Sequence, residues 1–97
     1  MSDFKNGDFI NHRYRVVRRL GRGAMGTVYL TEDILKVSRV VALKVLRSEN
    51  LDDPDMWSKG EYEALVRLRH PNLARVYDFG RIQGSKDFFI VSEFIAG

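Results

Sequence analysis

Three glycines spaced as G-x-G-x-x-G, Gly21, Gly23 and Gly26, lie inside a stretch that opens at Leu20 and closes at Lys44. Glycines at that spacing let the backbone turn tightly and bring its amides close to a polyphosphate, because no Cβ stands between the N–H groups and the ligand oxygens. Unrelated folds share the pattern, so its flanks decide its meaning. A dinucleotide-binding turn needs a helix opening at the third glycine and an acidic residue about 20 positions later. Gly26 leads instead into Thr27-Val28-Tyr29-Leu30-Thr31, whose β-branched and aromatic residues favour a strand. A phosphate loop of the G-x-x-x-x-G-K type needs lysine after Gly26, where Thr27 stands. What remains is a glycine hairpin between two strands, with Val41-Ala42-Leu43-Lys44 further along.

Alternation extends this reading in both directions. Tyr14 to Leu20 forms the strand entering the hairpin, and Val28 and Leu30 share one face of the strand leaving it, with Thr27 and Tyr29 on the other. In a third strand, Val40 to Leu46, Lys44 shares a face with Ala42 and Leu46, so its charge needs a partner or a ligand. A solvated strand lysine is the plainer alternative. Asp52-Asp53-Pro54 starts a helix, since aspartate accepts from free backbone N–H groups and proline tolerates the first helical position. His70-Pro71-Asn72 stops it, and Glu61, Leu65 and Leu68 fall on one face. Leu73 to Ile82 and Asp87 to Phe94 supply two more strands, and the run Phe88-Phe89-Ile90-Val91 reads as covered on both faces. The expected fold is α+β, a five-stranded antiparallel sheet with one main helix. Residues 1–8 read as a flexible tail and residues 9–97 as the folded unit.

Composition removes several functions. The 97 residues carry no cysteine, so neither disulfides nor a thiolate metal site is expected. His12 and His70 lack partners at metal-ligand spacing, and no metal site is expected. The net charge of +3 comes from mixed basic and acidic residues. Arg13, Arg15, Arg18, Arg19 and Arg22 cluster, but without interleaved aromatics they read as a solvated strand face rather than a nucleic-acid surface. No apolar run approaches the roughly 18 residues of a membrane span, and the N-terminus lacks signal-peptide character, so the expected location is cytoplasmic.

The glycine segment through Val28, followed by Val41-Ala42-Leu43-Lys44, resembles the G-x-G-x-x-G-x-V and V-A-I-K elements of protein kinases, with Leu43 at the isoleucine position. Arg22-Gly23-Ala24-Met25-Gly26 is most similar to the bacterial members of the serine/threonine kinase family. The resemblance runs from about Gly7 to Gly97 and covers the small, ATP-binding lobe, ending at the hinge.

The resemblance implies a role for each matching residue. Gly21, Gly23, Ala24, Met25 and Gly26 would cover the phosphates of ATP. Lys44 would reach the α- and β-phosphates and pair with a helix glutamate. Glu61 keeps the family's spacing for that glutamate, whereas Glu63 falls about 200° around the helix, toward water. Leu20, Val28 and Ala42 match the apolar lid over adenine, and each is equally compatible with plain core. Ser92 stands at the rear of the pocket, smaller than most of the family carries there. The backbones of Glu93 and Ile95 would hydrogen-bond the adenine edge. Asp78-Phe79-Gly80 spells the family's magnesium motif but precedes the hinge, so it reads as part of the fourth strand. No H-R-D loop, correctly placed D-F-G or A-P-E segment occurs in residues 1–97. The implied partners are therefore ATP, with magnesium only alongside the large lobe; that lobe or a protein at its interface; and a protein substrate in the complete enzyme. Residues 1–97 alone are expected to be inactive. A noncatalytic interaction or regulatory module derived from a kinase is the alternative.

Overall fold

The structure, a computed structural model, describes residues 3–23, 26–36, 39–47 and 75–94. These form six strands: β1 (Phe9–Ile10), β2 (Tyr14–Gly23), β3 (Gly26–Asp33), β4 (Arg39–Leu46), β5 (Val76–Arg81) and β6 (Phe88–Glu93). They make one sheet, ordered β1-β2-β3-β4-β6-β5, with every neighbouring pair antiparallel. The expected count of five is corrected to six. The addition is β1, whose two residues pair with Arg15 and Tyr14 and are too short to show a period of two. The expected helix over residues 52–69, with Glu61 and Glu63, lies outside the described residues, as does the start of the fourth strand at Leu73.

Register divides the side chains between two faces, because residues directly opposite in an antiparallel pair point the same way. Tyr29, Leu43 and Val91 form one row across β3, β4 and β6, flanked by the row Thr27, Val45 and Phe89. Apart from Thr27, which is buried but polar, they join Ile10, Tyr14, Val16, Val41 and Ile82 in the main core; Val16, Val41, Leu43 and Val91 are fully shielded from solvent. The opposite face carries a smaller cluster of Leu46, Phe88 and Ile90, with Phe79 against it. Strand β6 is thus covered on both sides, as its apolar run implies.

The sheet curls until its two ends meet through side chains. Asn11 Nδ2 donates to the Arg81 carbonyl at 2.9 Å, and the Gln83 N–H donates to Asn11 Oδ1 at 2.8 Å. Asn11 adopts a left-handed backbone, φ 54°, which asparagine tolerates better than most residues. The Tyr14 hydroxyl donates to Asp78 Oδ2 at 2.9 Å, adding a second stitch between β2 and β5.

Residues 3–8, read from the sequence as part of a tail, lie against this sheet. The Gly7 N–H donates to the Val16 carbonyl and the Val16 N–H to the Asp8 carbonyl, both at 2.7 Å, while Phe4 packs on the main core.

Candidate functional site

The glycine hairpin is closed by the pairing of Gly23 with Gly26 at the end of β2 and the start of β3. Gly26 has φ 155°, and a Cβ there would run into the Val45 carbonyl oxygen of β4, so no side chain fits. Gly21 and Gly23 differ: nothing stands within 4 Å of the place a Cβ would occupy. Their openness is what a ligand approaching the backbone requires. The ladder between β2 and β3 slips twice, between Val16 and Arg18 and between Arg19 and Gly21. The second slip makes Leu20 a bulge residue at the base of the hairpin, where it is half-buried.

On the face opposite the main core, two rows cross the central strands. Val28, Lys44 and Ile90 form the first; Leu30, Ala42 and Ser92 form the second. The structure therefore gathers Val28, Ala42, Lys44 and Ser92, four of the residues singled out from sequence, onto one surface beside the hairpin. Lys44 is half-buried, and burial holds its ammonium below the usual lysine range. Among the described residues no carboxylate makes an ion pair with it. Ser92 is buried, with Val76 of β5 opposite it on the side away from Ala42. The Glu93 N–H donates to the Arg75 carbonyl at 2.8 Å, carrying the β5–β6 pairing past Val76 and anchoring the end of β6. Ala24, Met25, Glu61 and Ile95 lie outside the described residues.

Asp78, from the misplaced magnesium motif, sits at the sheet's seam. One oxygen accepts from the Tyr14 hydroxyl and stands 3.8 Å from Arg13; the other accepts from the Phe79 N–H at 2.9 Å. Gly80 faces the Phe89 ring, 3.4 Å from where a Cβ would be. Among the described residues no group of three or more His, Cys, Asp or Glu could hold a metal ion.

Sequence reasoning missed Asp33, a fully buried carboxylate at the end of β3. Arg13 grips it with two hydrogen bonds of 2.9 Å, Arg39 approaches at 3.4 Å, and the Leu35 N–H donates to it at 3.1 Å. The Arg13 hydrogen bonds hold its carboxyl below the usual aspartate range. Arg39 in turn stacks 4.0 Å from the centre of the Tyr77 ring. The available signal was an aspartate heading the turn Ile34-Leu35-Lys36, a position where its side chain accepts from the backbone two residues on.

A two-row inner face beside an open glycine hairpin, with a half-buried lysine in the central strand, agrees with what the family comparison finds. The family model for protein tyrosine and serine/threonine kinases matches residues 14–97. The chain belongs to the protein kinase family. It is 39% identical over 93 residues to the probable serine/threonine-protein kinase PknB of Lactococcus lactis, a match covering 94% of this chain and 14% of that kinase. It is 37% identical over 93 residues to the serine/threonine-protein kinase PrkC of Bacillus subtilis, again 94% of this chain and 14% of that kinase. A crystal structure of the Mycobacterium tuberculosis PknI kinase domain, carrying a single cysteine-to-alanine substitution, superposes with a TM-score of 0.74 at 31% identity, covering 99% of this chain and 38% of that chain. The chain thus spans 14% of the length of these two curated relatives and matches the N-terminal piece of a bacterial serine/threonine kinase domain. No helix among its described residues is long and apolar enough to cross a membrane.

Proposed function

We propose that the inner face is half of an ATP site, and that residues 9–97 are the small lobe of a kinase that transfers phosphate from ATP to protein hydroxyls. The observation that carries this reading is the Val28–Lys44–Ile90 row: a cation half-removed from water, on the side of the sheet that does not hold the main core, next to the glycine hairpin. A half-buried ammonium calls for anionic partners, and a polyphosphate would supply them through charge-assisted hydrogen bonds. Open backbone at Gly21 and Gly23 accommodates the phosphates. Leu20, Val28 and Ala42 supply apolar surface for a base, and the backbone at Glu93 and Ile95 supplies its hydrogen-bonding edge. Ala24 and Met25 would cover the phosphates together with the glycines, Ser92 would leave room at the rear, and Glu61 would pair with Lys44 while it holds the phosphates.

Magnesium would enter with a large lobe, because the family's catalytic-loop and correctly placed D-F-G motifs, which supply its ligands, do not occur in residues 1–97. Bound there, the ion would neutralise charge on the phosphates. The small lobe's share of the chemistry is positioning: it shields the phosphates from water, holds the adenine and puts one fixed positive charge beside the α- and β-phosphates. By itself it is expected to transfer no phosphate, since residues 1–97 lack the H-R-D segment whose aspartate takes the acceptor hydroxyl's proton in the family.

The test is Lys44→Met in a kinase chain that carries this lobe. Loss of phosphoryl transfer together with weakened nucleotide binding is expected, and equal activity of variant and parent would overturn the assignment. Residues 1–97 alone, incubated with labelled ATP, magnesium and a generic protein substrate, should give no more label transfer than the Lys44→Met control.

A further inference from the structure

We infer that Asp3 and Phe4 form a strap that positions the glycine hairpin from its outer side, with Asp3 as a positioning residue; the consequence for nucleotide rests on the function proposed above.

The hairpin has a weak point at its base. Leu20 bulges out of the β2–β3 ladder, and the pairing resumes only at Gly21 opposite Val28. A bulge bends and loosens a strand pair, so the arm beyond it can tilt relative to the sheet. Arg19 precedes the bulge and Arg22 follows it. They stand opposite Tyr29 and Thr27, so both project on the side of the main core, away from the Lys44 row. The Asp3 carboxylate pairs with both: it contacts Arg22 and lies 3.5 Å from Arg19. One anion thus spans the bulge and resists its bending.

The anchor behind Asp3 is well built. The Phe4 ring meets the Tyr29 ring edge-on, centroids 5.8 Å apart at 84°, and the Phe4 N–H donates to the Tyr29 hydroxyl at 3.1 Å. A tight turn follows, in which the Lys5 N–H donates to Asp8 Oδ2 at 2.8 Å and the Asp8 N–H to the Lys5 carbonyl at 2.9 Å. Residues 7 and 8 then pair with Val16 of β2, below the bulge. The strap is therefore fixed at one end to Val16, before both slips of β2, and at the other to Arg22, beyond them. Between strap and hairpin lies a pocket of about 40 Å³ lined in part by Phe4, Gly26, Thr27 and Tyr29, so the arm has space to shift when the anion lets go. Fastened, the hairpin holds one height over the opposite face, where the phosphates would lie; released, it samples several.

The test is amide hydrogen exchange on the 97-residue chain without nucleotide, with affinity for a fluorescent ATP analogue measured in parallel on a kinase chain that carries this lobe, parent and Asp3→Asn. Asp3→Asn should speed exchange at residues 21–28 on the order of three- to five-fold, the effect of losing two exposed ion pairs, and leave core amides such as Leu43 and Val91 unchanged. Asp3→Glu should restore the parent rates. Raising salt to about 1 M, where the screening length falls to about 3 Å, should bring the parent to the rates of Asp3→Asn and leave that variant unmoved. Unchanged exchange at 21–28 in Asp3→Asn overturns the strap, as does an equal rise at the core amides, which would mark general destabilisation. Faster hairpin exchange with no analogue binding by either protein supports the strap while sinking the proposed function. Analogue binding with an unmoved hairpin does the reverse.

Discussion

The two faces of the central strands are built from alternate residues of the same sequence and do opposite things. On one face Tyr29, Leu43 and Val91 meet across three strands and exclude water, as do their neighbours Val16 and Val41. On the other, one residue along each strand, Val28 and Lys44 remain half-open to solvent, and a charge stands where packing would call for an aliphatic side chain. Packing density is the source of stability, and a close-packed surface has no room for a ligand. A period of two lets one short sheet separate those demands without extra chain. The smaller cluster of Leu46, Phe88, Ile90 and Phe79 shows that the second face is not simply unfinished core: it is apolar toward the ends of β4 and β6 farthest from Ser92 and open where the lysine lies.

The sharpest way to break this division is to make the same kind of cut on each face. Leu43→Ala removes a fully buried side chain and should lower the unfolding free energy by about 4 kcal/mol, toward the upper part of the range for such truncations. Val28→Ala, half-buried on the other face, should lower it by only about 1 kcal/mol and act mainly on nucleotide affinity. Denaturant unfolding of the two variants decides it. Equal losses would mean that both faces are core.

Asp33 tests whether the rim of the packed side depends on charge as well as on apolar contact. Asp33→Asn should cost about 3 kcal/mol, the low end for breaking a buried pair, because Arg13 and Arg39 keep edges in water. Its pH dependence has a definite sign. The folded-state pKa lies below the ordinary 3.8, so at pH values beneath that number the unfolded chain binds a proton that the folded chain refuses. The contribution is complete above 3.8 and is lost as pH falls through the lower folded value. Unfolding measured from about pH 2 to about pH 6 should show a steeper acid limb for the parent than for Asp33→Asn.

Lys44→Met reverses the pattern. Replacing a half-buried cation with an apolar chain of similar length removes a desolvation cost, so the unfolding midpoint should hold or rise slightly. Nucleotide affinity in a kinase carrying the lobe should fall about ten-fold, the worth of one charge-assisted hydrogen bond. A variant that loses stability while keeping affinity would place Lys44 among the structural residues.

What could be read from sequence follows the range of the interactions. The hairpin, the strands β2 to β4 and the two-sided burial of β6 are legible because glycine spacing and alternation act over a few residues. The Lys44 row follows from that alternation together with family resemblance. Asp33 was missed because its meaning lies in Arg13, 20 residues earlier. Asn11 was missed because its partners Arg81 and Gln83 are 70 and 72 residues away, and only the curl of the sheet brings them near. The bulge at Leu20 leaves no mark on composition. Phe4 stands alone in a polar segment, and nothing local reveals that it docks on Tyr29.

The smallest expected effect separates ring from hydroxyl at Tyr14, where the packed face meets the seam. The ring is buried in the main core, 5.8 Å between centroids from Phe89, while the hydroxyl reaches Asp78. Tyr14→Phe keeps the ring and removes only the donor. A hydrogen bond to a charged acceptor is worth about 1.5–3 kcal/mol, but Asp78 is partly exposed and regains water, so a loss of about 1 kcal/mol is expected. Burial, reinforced by the Asp78 hydrogen bond, pushes the Tyr14 hydroxyl well above its ordinary 10. Above pH 10 the unfolded chain releases a proton that the folded chain retains, so this stabilisation is full below 10 and drains away as pH rises beyond it. Tyr14→Phe should therefore flatten the alkaline limb of the stability curve and leave nucleotide affinity unchanged, since the hydroxyl serves the seam and not the open face. Tyr14→Ala, which also empties the core, should cost several times more. If the two substitutions cost the same, the hydroxyl rather than the ring holds this corner, and the packed face is less a matter of packing than the rows across β3, β4 and β6 imply.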